Sequence, residues 1–329
     1  MKQRLSLSKK KIRLAAILTL IISIAPGCGT AVRNTPLRGT VDLQGHRGAR
    51  GARPENSIPA FIYCMEKEMD TIELDTNLTS DGNLIVYHDS ELNPKLCLTP
   101  EGKPASPLPI KDLTEKELKQ YDCGAVQNSK FPRQKAIAGT TMITLDEFFA
   151  FIKDYEKKHP GASRPGFNIE LKFPDVYDSS YFQKATAAMI LAVKKSNMAS
   201  RITVQSFIPE ALPIIKKTNP GITTSALFLP NYWKGFKMIL GLNADRKKIL
   251  AKTIDVKADY ISPYYLYVTP AFVKKCHDKN IRVITWTVNS KKKMIQMLNA
   301  GVDGIISDYP ELLKKTYLEW KNKEKKGNK

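Results

Sequence analysis

Two of the four histidines in this 329-residue chain stand in short polar motifs that follow apolar runs: His46 in Gly45-His46-Arg47-Gly48 and His88 in His88-Asp89. Imidazole titrates near neutral pH, so such a pair can supply one general base and one general acid. Three carboxylates accompany them: Glu73 and Asp75, two residues apart, and Glu170, with Lys172 two residues further on. Carboxylates with no cysteine among them and no HExxH segment make a hard oxygen site, which favours Mg²⁺ or Ca²⁺ over zinc. Arg47 and Lys172 add the positive charge a phosphate needs, and arginine can grip phosphate through two nitrogens at once. Divalent cation, two imidazoles and two cationic side chains together describe cleavage of a phosphodiester.

These residues fall at the ends of short apolar runs rich in β-branched residues. Strands are expected at Val41 to His46, Thr71 to Asp75, Phe167 to Lys172, Ile202 to Ser206, Thr223 to Phe228, Tyr260 to Tyr264, Arg282 to Val288 and Gly304 to Asp308. Helix-like stretches alternate with them: Ser57 to Glu68, Leu145 to Lys157, Ser180 to Ser196, Ile208 to Thr218, Trp233 to Ala251, Pro270 to Lys279 and Lys291 to Ala300. Eight strands with helical crossovers give an α/β fold, a (β/α)8 barrel of the TIM type; no Gly-rich fingerprint follows a strand, which disfavours a dinucleotide-binding sheet. Barrel sites form at the C-terminal strand ends, and period-two alternation puts Glu73 with Asp75, and Glu170 with Lys172, on common sides. Asp81-Gly82 marks a turn, so Leu84 to Tyr87 should return as a hairpin arm with His88 at its end. Residues 92–140 hold six prolines and little periodicity, which reads as a loop-like insertion at the mouth, a candidate lid, with one short helix at Leu113 to Tyr121.

The same residues resemble a known family. The motifs His46-Arg47-Gly48, Pro54-Glu55-Asn56-Ser57, Ala60-Phe61, Glu73-Leu74-Asp75, Thr79-Ser80-Asp81-Gly82, His88-Asp89 and Glu170-Leu171-Lys172 are similar to those of the glycerophosphodiester phosphodiesterases. The likeness continues through Gln205-Ser206-Phe207, Trp286-Thr287-Val288-Asn289 and Gly304 to Asp308. It implies a metal-dependent barrel enzyme that hydrolyses glycerophosphodiesters to an alcohol and sn-glycerol 3-phosphate. By position it implies His46 and His88 as the catalytic pair and Glu73, Asp75 and Glu170 as metal ligands. Arg47 and Lys172 would contact phosphate, and Glu55 would be a further polar contact. The nucleophile is water or the glycerol 2-hydroxyl, and either histidine can be the base. Ser57 stands where the family has Thr and should still cap the first helix. Arg50 to Arg53 lengthens the first loop and adds two cations near the mouth.

Other residues read more plainly. Trp286 is either barrel-top packing or an apolar wall for the substrate; Asp89 and Asp81-Gly82 read as turn chemistry; His159 and His277 read as surface residues. A structural ion pair is the competing account of Glu170 with Lys172. Two rival functions share the fold: phospholipase D-like cleavage of lysophospholipids, which exposed apolar residues on the insertion would favour, and a non-catalytic surface lipoprotein that binds a phosphate ligand.

Six basic residues precede the apolar run Leu14 to Ala25, which is short for a membrane span and the right length for a signal-peptide core. The run ends at Cys28 in a sequence resembling a lipobox, so the expected organisation is a signal peptide (1–27), a linker (28–39), the barrel (40–317) and a basic tail (318–329) that reads as a frayed helix. Acylation of Cys28 would anchor an exported, cell-envelope or periplasmic protein to a membrane. Cleavage there would lower the formal charge from +20 to +14. The cations are spread along the chain with no nucleic-acid module, so no nucleic-acid partner is expected. An oxidising compartment permits disulfides, and Cys97 with Cys123, both in the Pro-rich segment, is the favoured pair, with unpaired buried thiols as the alternative.

Overall fold

The structure is a computed structural model that describes residues 40–230 and 237–327. The signal segment, Cys28 and the expected helix start at Trp233 lie outside them. Among the described residues nine strands occur, β1 (Asp42–Gly45), β2 (Thr71–Leu78), β3 (Leu84–Val86), β4 (Gly166–Leu171), β5 (Ile202–Ser206), β6 (Thr223–Phe228), β7 (Tyr260–Pro263), β8 (Arg282–Thr285) and β9 (Gly304–Ser307). All but β3 run parallel, each to its neighbours, and β1 pairs with both β9 and β2, which closes the ring. Eight parallel strands closed on themselves and wrapped by helices are a TIM-type barrel.

Helices return the chain between strands: α1 (Ile58–Glu66), α2 (Glu115–Leu118), α3 (Leu145–Lys158), α4 (Ser179–Ser196), α5 (Ala211–Thr218), α6 (Lys237–Asp255), α7 (Pro270–His277), α8 (Lys291–Ala300) and α9 (Pro310–Gly327). Their starts are written in the sequence. Ser57 caps α1 by accepting from the Ala60 amide, with proline at its first turn, and Thr144 with Glu147 forms a reciprocal capping box on α3. The core lies between ring and helices. There Phe61, Phe148 and Phe167 meet edge to face, with centroids 4.9 and 5.3 Å apart.

β2 is longer than expected. Beyond Asp75 it continues through Thr76 to Leu78, paired antiparallel with β3, so the hairpin lifts His88 above the ring. The segment after it has a small core of its own, built on Ile85, Tyr87, Leu92, Ile110, Leu118 and Met142. A disulfide joins Cys97 to Cys123 within that core, while Cys64 and Cys276 are buried and free. The basic tail is helical, as expected, and continues α9; its first part is docked, since Trp320 stacks on Tyr317, donates to Asn299 at 2.8 Å and packs against the barrel core. Among the described residues, no helix is long and apolar enough to cross a membrane.

Candidate active site

The turn after β1 sets the geometry. His46 N–H donates to the Ser307 carbonyl of β9 and Gly48 N–H to the Glu73 carbonyl of β2, so the turn is laced to both neighbours. Arg47 adopts a positive φ of 50°, and its N–H donates to Glu73 Oε2 at 2.7 Å. Gly48 (φ 78°) has no room for a side chain, since a Cβ there would meet Ala60 at 2.9 Å. This tight turn directs His46 inward over the strand ends.

Glu73, Asp75 and Glu170 are all buried, and one oxygen from each lies within 4.8 Å of the others. Three buried carboxylates sharing one space repel one another. Burial and then Asp75 raise Glu73 well above the usual carboxylate range. Burial also raises Glu170, against the pull of Lys172. Asp75 alone is held well below its ordinary value: burial acts to raise it, but His88, Lys172 and Arg47 together outweigh that. Asp75 Oδ2 accepts from Asn56 Nδ2 at 2.9 Å, whereas Oδ1 is buried with no hydrogen bond, Lys172 Nζ standing 3.5 Å off. A bare buried carboxylate oxygen is costly unless a cation meets it. The donor set, all hard oxygen, therefore fits a divalent cation.

The cations ring this cluster. Arg47 Nη1 donates to Glu55 Oε1 at 2.5 Å, and its Nε stands 3.3 Å from Asp75. Burial works against the Arg47 charge, but Glu55 and Asp75 more than offset it. Lys172 Nζ donates to Glu170 Oε1 at 2.8 Å, so the ion pair and the cluster are one arrangement. Gln205 Nε2 donates to Glu73 Oε1 at 3.0 Å.

Each histidine meets a carboxylate through Nδ1. His46 Nδ1 lies 2.5 Å from Asp308 Oδ1, and His88 Nδ1 lies 2.6 Å from Asp89 Oδ1. Both aspartates are held ionised: Asp308 well below its usual range, where His46 and Arg50 outweigh burial, and Asp89 down to about 2 by the hydrogen bond from His88. Each is therefore an acceptor, the ring proton sits on Nδ1, and a neutral ring presents an open Nε2. A cavity of about 710 Å³ reaches the cluster from one side, past His88, Glu170 and Lys172, and opens outward along Phe173, Asn93 and Phe207.

The profile of the Glycerophosphoryl diester phosphodiesterase family matches residues 46–312. The chain belongs to this family. A glycerophosphodiester phosphodiesterase of Caldanaerobacter subterraneus is 32% identical over 268 residues, covering 82% of this chain and 94% of that one. Among solved structures, a protein of Silicibacter pomeroyi described as a candidate glycerophosphoryl diester phosphodiesterase superposes with TM-score 0.75 at 26% identity, covering 86% and 96% of the two chains. An Oleispira antarctica phosphodiesterase, solved in complex with the product sn-glycerol-3-phosphate, superposes at TM-score 0.63 and 20% identity over 84% and 96%. The chain is thus a glycerophosphodiester phosphodiesterase.

In this phosphodiesterase His46, Arg47, Glu55, Glu73, Asp75, His88, Glu170 and Lys172 lie together at the cluster and its rim, and Trp286 stands further out. Trp286 donates from its indole to the Ser262 carbonyl and lies 5.5 Å edge-on to Phe207, which itself lines the cavity. Two plainer readings are corrected. Asp89 is not only a turn residue, since its side chain fixes His88. His277 is half-buried, with Nε2 2.7 Å from Asp303 on the far end of the barrel; His159 is exposed as expected. Sequence reasoning assigned no role to Asn56 or Asp308. Asn56 (φ 52°) bonds Asp75 with both ends of its amide, and Asp308 gathers His46, Arg50 and Asn289. The available signal for Asp308 was its place at the end of the last strand.

Proposed function

We propose that this enzyme hydrolyses glycerophosphodiesters to a free alcohol and sn-glycerol 3-phosphate, with His46 and His88 as the proton-transfer pair. The observation that carries the reading is the shared layout of the two imidazoles: each has Nδ1 tied to an ionised aspartate, which leaves Nε2 for proton transfer, and His46 Nε2 stands 3.9 Å from Glu73 of the buried three-carboxylate cluster. Glu73, Asp75 and Glu170 would hold Mg²⁺ or Ca²⁺, which when bound neutralises phosphate charge and favours attack at phosphorus. Arg47 and Lys172 face the same charge from the rim of the cluster. One Nε2 takes the proton of the attacking oxygen as its bond to phosphorus forms. The other enters as an imidazolium, protonated on Nε2 as well as Nδ1, and gives its Nε2 proton to the alcohol oxygen as the second P–O bond breaks, so the alcohol leaves neutral.

The glycerophosphodiester is favoured over a lysophospholipid by the insertion. Among the described residues of 92–140, Leu108 is the large apolar side chain that stands exposed, while Leu92, Ile110 and Leu118 pack into the insertion's own core and Phe131 packs against Tyr309. We further propose that residues 1–27 are an export signal and that Cys28 is acylated, which rests on the basic and apolar runs of the first segment. The test is enzyme-coupled release of glycerol 3-phosphate from glycerophosphocholine and glycerophosphoethanolamine in EDTA, Mg²⁺ and Ca²⁺. Release that needs a metal and disappears in His46→Ala is expected; release unaffected by EDTA would overturn the metal part, and an active His46→Ala the acid–base part.

A further inference from the structure

His88 reaches the site from a hairpin that is not part of the closed ring, and something must hold it there. Its partner Asp89 has a second oxygen, and that oxygen accepts from Asn93 Nδ2 at 2.8 Å. Every polar group of Asn93 is engaged. Its N–H donates to Tyr87 Oη at 2.9 Å, its Oδ1 accepts from Lys95 N–H at 3.0 Å, and its carbonyl accepts from Cys97 N–H at 2.9 Å. Tyr87 Oη in turn lies 3.8 Å from Cys97 Sγ. A disulfide sulfur has no proton, so the hydroxyl is the donor there, which leaves its oxygen free to accept from Asn93. Asn77 Nδ2 closes the ring by donating to the Tyr87 carbonyl at 2.8 Å.

We propose that Asn93 is a positioning residue for His88, and that the Cys97–Cys123 disulfide fixes Asn93 for that task. The inference rests on His88 acting in proton transfer as proposed above. The chain of contacts is short: disulfide to Tyr87 hydroxyl and Cys97 amide, these to Asn93, Asn93 to Asp89, Asp89 to Nδ1 of the imidazole. The 26-residue separation closed by the disulfide anchors the far side of the loop to Cys123. Without that anchor, Asn93 loses the fixed carbonyl and amide partners that aim its side chain, and the imidazole loses its orientation rather than its chemistry.

The experiment is steady-state kinetics on the full-length, metal-loaded enzyme. Asn93→Asp keeps size and the Lys95 contact but turns the donor toward Asp89 into an acceptor. The expected result is a fall in kcat of about tenfold with KM unchanged. Because Asn93 also borders the cavity, the same variant is run with glycerophosphocholine, glycerophosphoethanolamine and glycerophosphoglycerol. A uniform loss supports positioning; a loss that depends on the headgroup means direct contact with substrate and overturns it. The Cys97→Ala/Cys123→Ala double variant, checked for folding by circular dichroism, should lose kcat several-fold in the same manner. In a His88→Ala background neither change should lower kcat further, since both act through a group already gone. Full additivity there, or wild-type kcat for Asn93→Asp while His88→Ala is slow, overturns this inference alone. Wild-type kcat for His88→Ala removes the proton-transfer reading of His88 and this inference with it.

Discussion

His46 and His88 make the same hydrogen bond to an aspartate, but the two supports are built from different parts of the molecule. His46 sits where β1 meets β9, and Asp308, at the end of β9, is buried beneath Arg50 and Asn289, which donate to it at 2.9 and 2.5 Å. Closing the barrel brings those pieces together, so this imidazole is fixed by the same pairing that makes the fold. The His88 side chain is 31% exposed against 10% for His46, and its Asp89 leans on Asn93 from an excursion with its own small core. One support is a consequence of topology; the other is a local device added to it. The two should therefore fail differently.

The largest expected effect is the loss of either imidazole. His46→Ala and His88→Ala should each lower kcat by roughly 10³ with glycerophosphocholine, within the range for general acid–base groups. The supports then separate the two sides. Asp308→Asn leaves a buried imidazole with a wrong or unpaired partner and should cost about 10² in kcat, whereas water can replace much of what Asp89→Asn removes, leaving a loss of about tenfold. Equal losses for the two aspartate variants would end the distinction between buried and open support.

A smaller effect concerns stability. The disulfide closes a loop of 26 residues, for which chain entropy predicts a contribution on the order of 3 to 4 kcal/mol. Removing it as Cys97→Ala/Cys123→Ala should show in amide hydrogen exchange as lost protection within residues 92–123, with β1 and β9 amides unchanged. Protection lost equally in the barrel strands would mean that the excursion and the ring unfold as one unit, and that the His46 support depends on the disulfide too.

What can be read from sequence follows the same division. The ring is legible because a strand buried on both faces is a continuous apolar run and its polar terminus stands out: Glu73, Asp75, Glu170 and Lys172 mark strand ends by residue type alone. The hairpin is legible from Asp81-Gly82. Asp308 is recognisable as a strand end, yet its bond to His46 joins residues 262 apart and depends on barrel closure, which no local pattern encodes. Asn56 is hidden for another reason, since its role needs a left-handed backbone at φ 52° that side-chain periodicity does not report. Asp89 reads as turn chemistry because a turn aspartate and one that braces a histidine look alike in one dimension. The lysines of the C-terminal helix suggest a frayed tail, whereas Tyr317 and Trp320 supply the apolar face that docks it.

Burial of His46 also leaves a pH signature in the metal-free protein. Burial first, and Arg50 second, hold its pKa down to about 4 against the opposing pull of Asp308. An unfolded histidine titrates near 6.5, so between about 4 and 6.5 the unfolded chain binds a proton that the folded chain refuses. Stability from this group is therefore complete above about pH 6.5 and is lost as pH falls toward 4, by roughly 3 kcal/mol. Asp308 acts below that window, since a depressed carboxylate contributes above its unfolded value near 4 and loses that contribution only at lower pH. Urea unfolding in EDTA at pH 7, 5.5 and 4.5, compared with His46→Asn, isolates the His46 part as a difference in slope. In Arg50→Gln a like charge is gone, the folded pKa moves up, and the acid loss should shrink. An unchanged or larger loss in Arg50→Gln would mean that the guanidinium acts mainly by holding Asp308 against the ring, and that the buried support is set by that grip and not by charge repulsion.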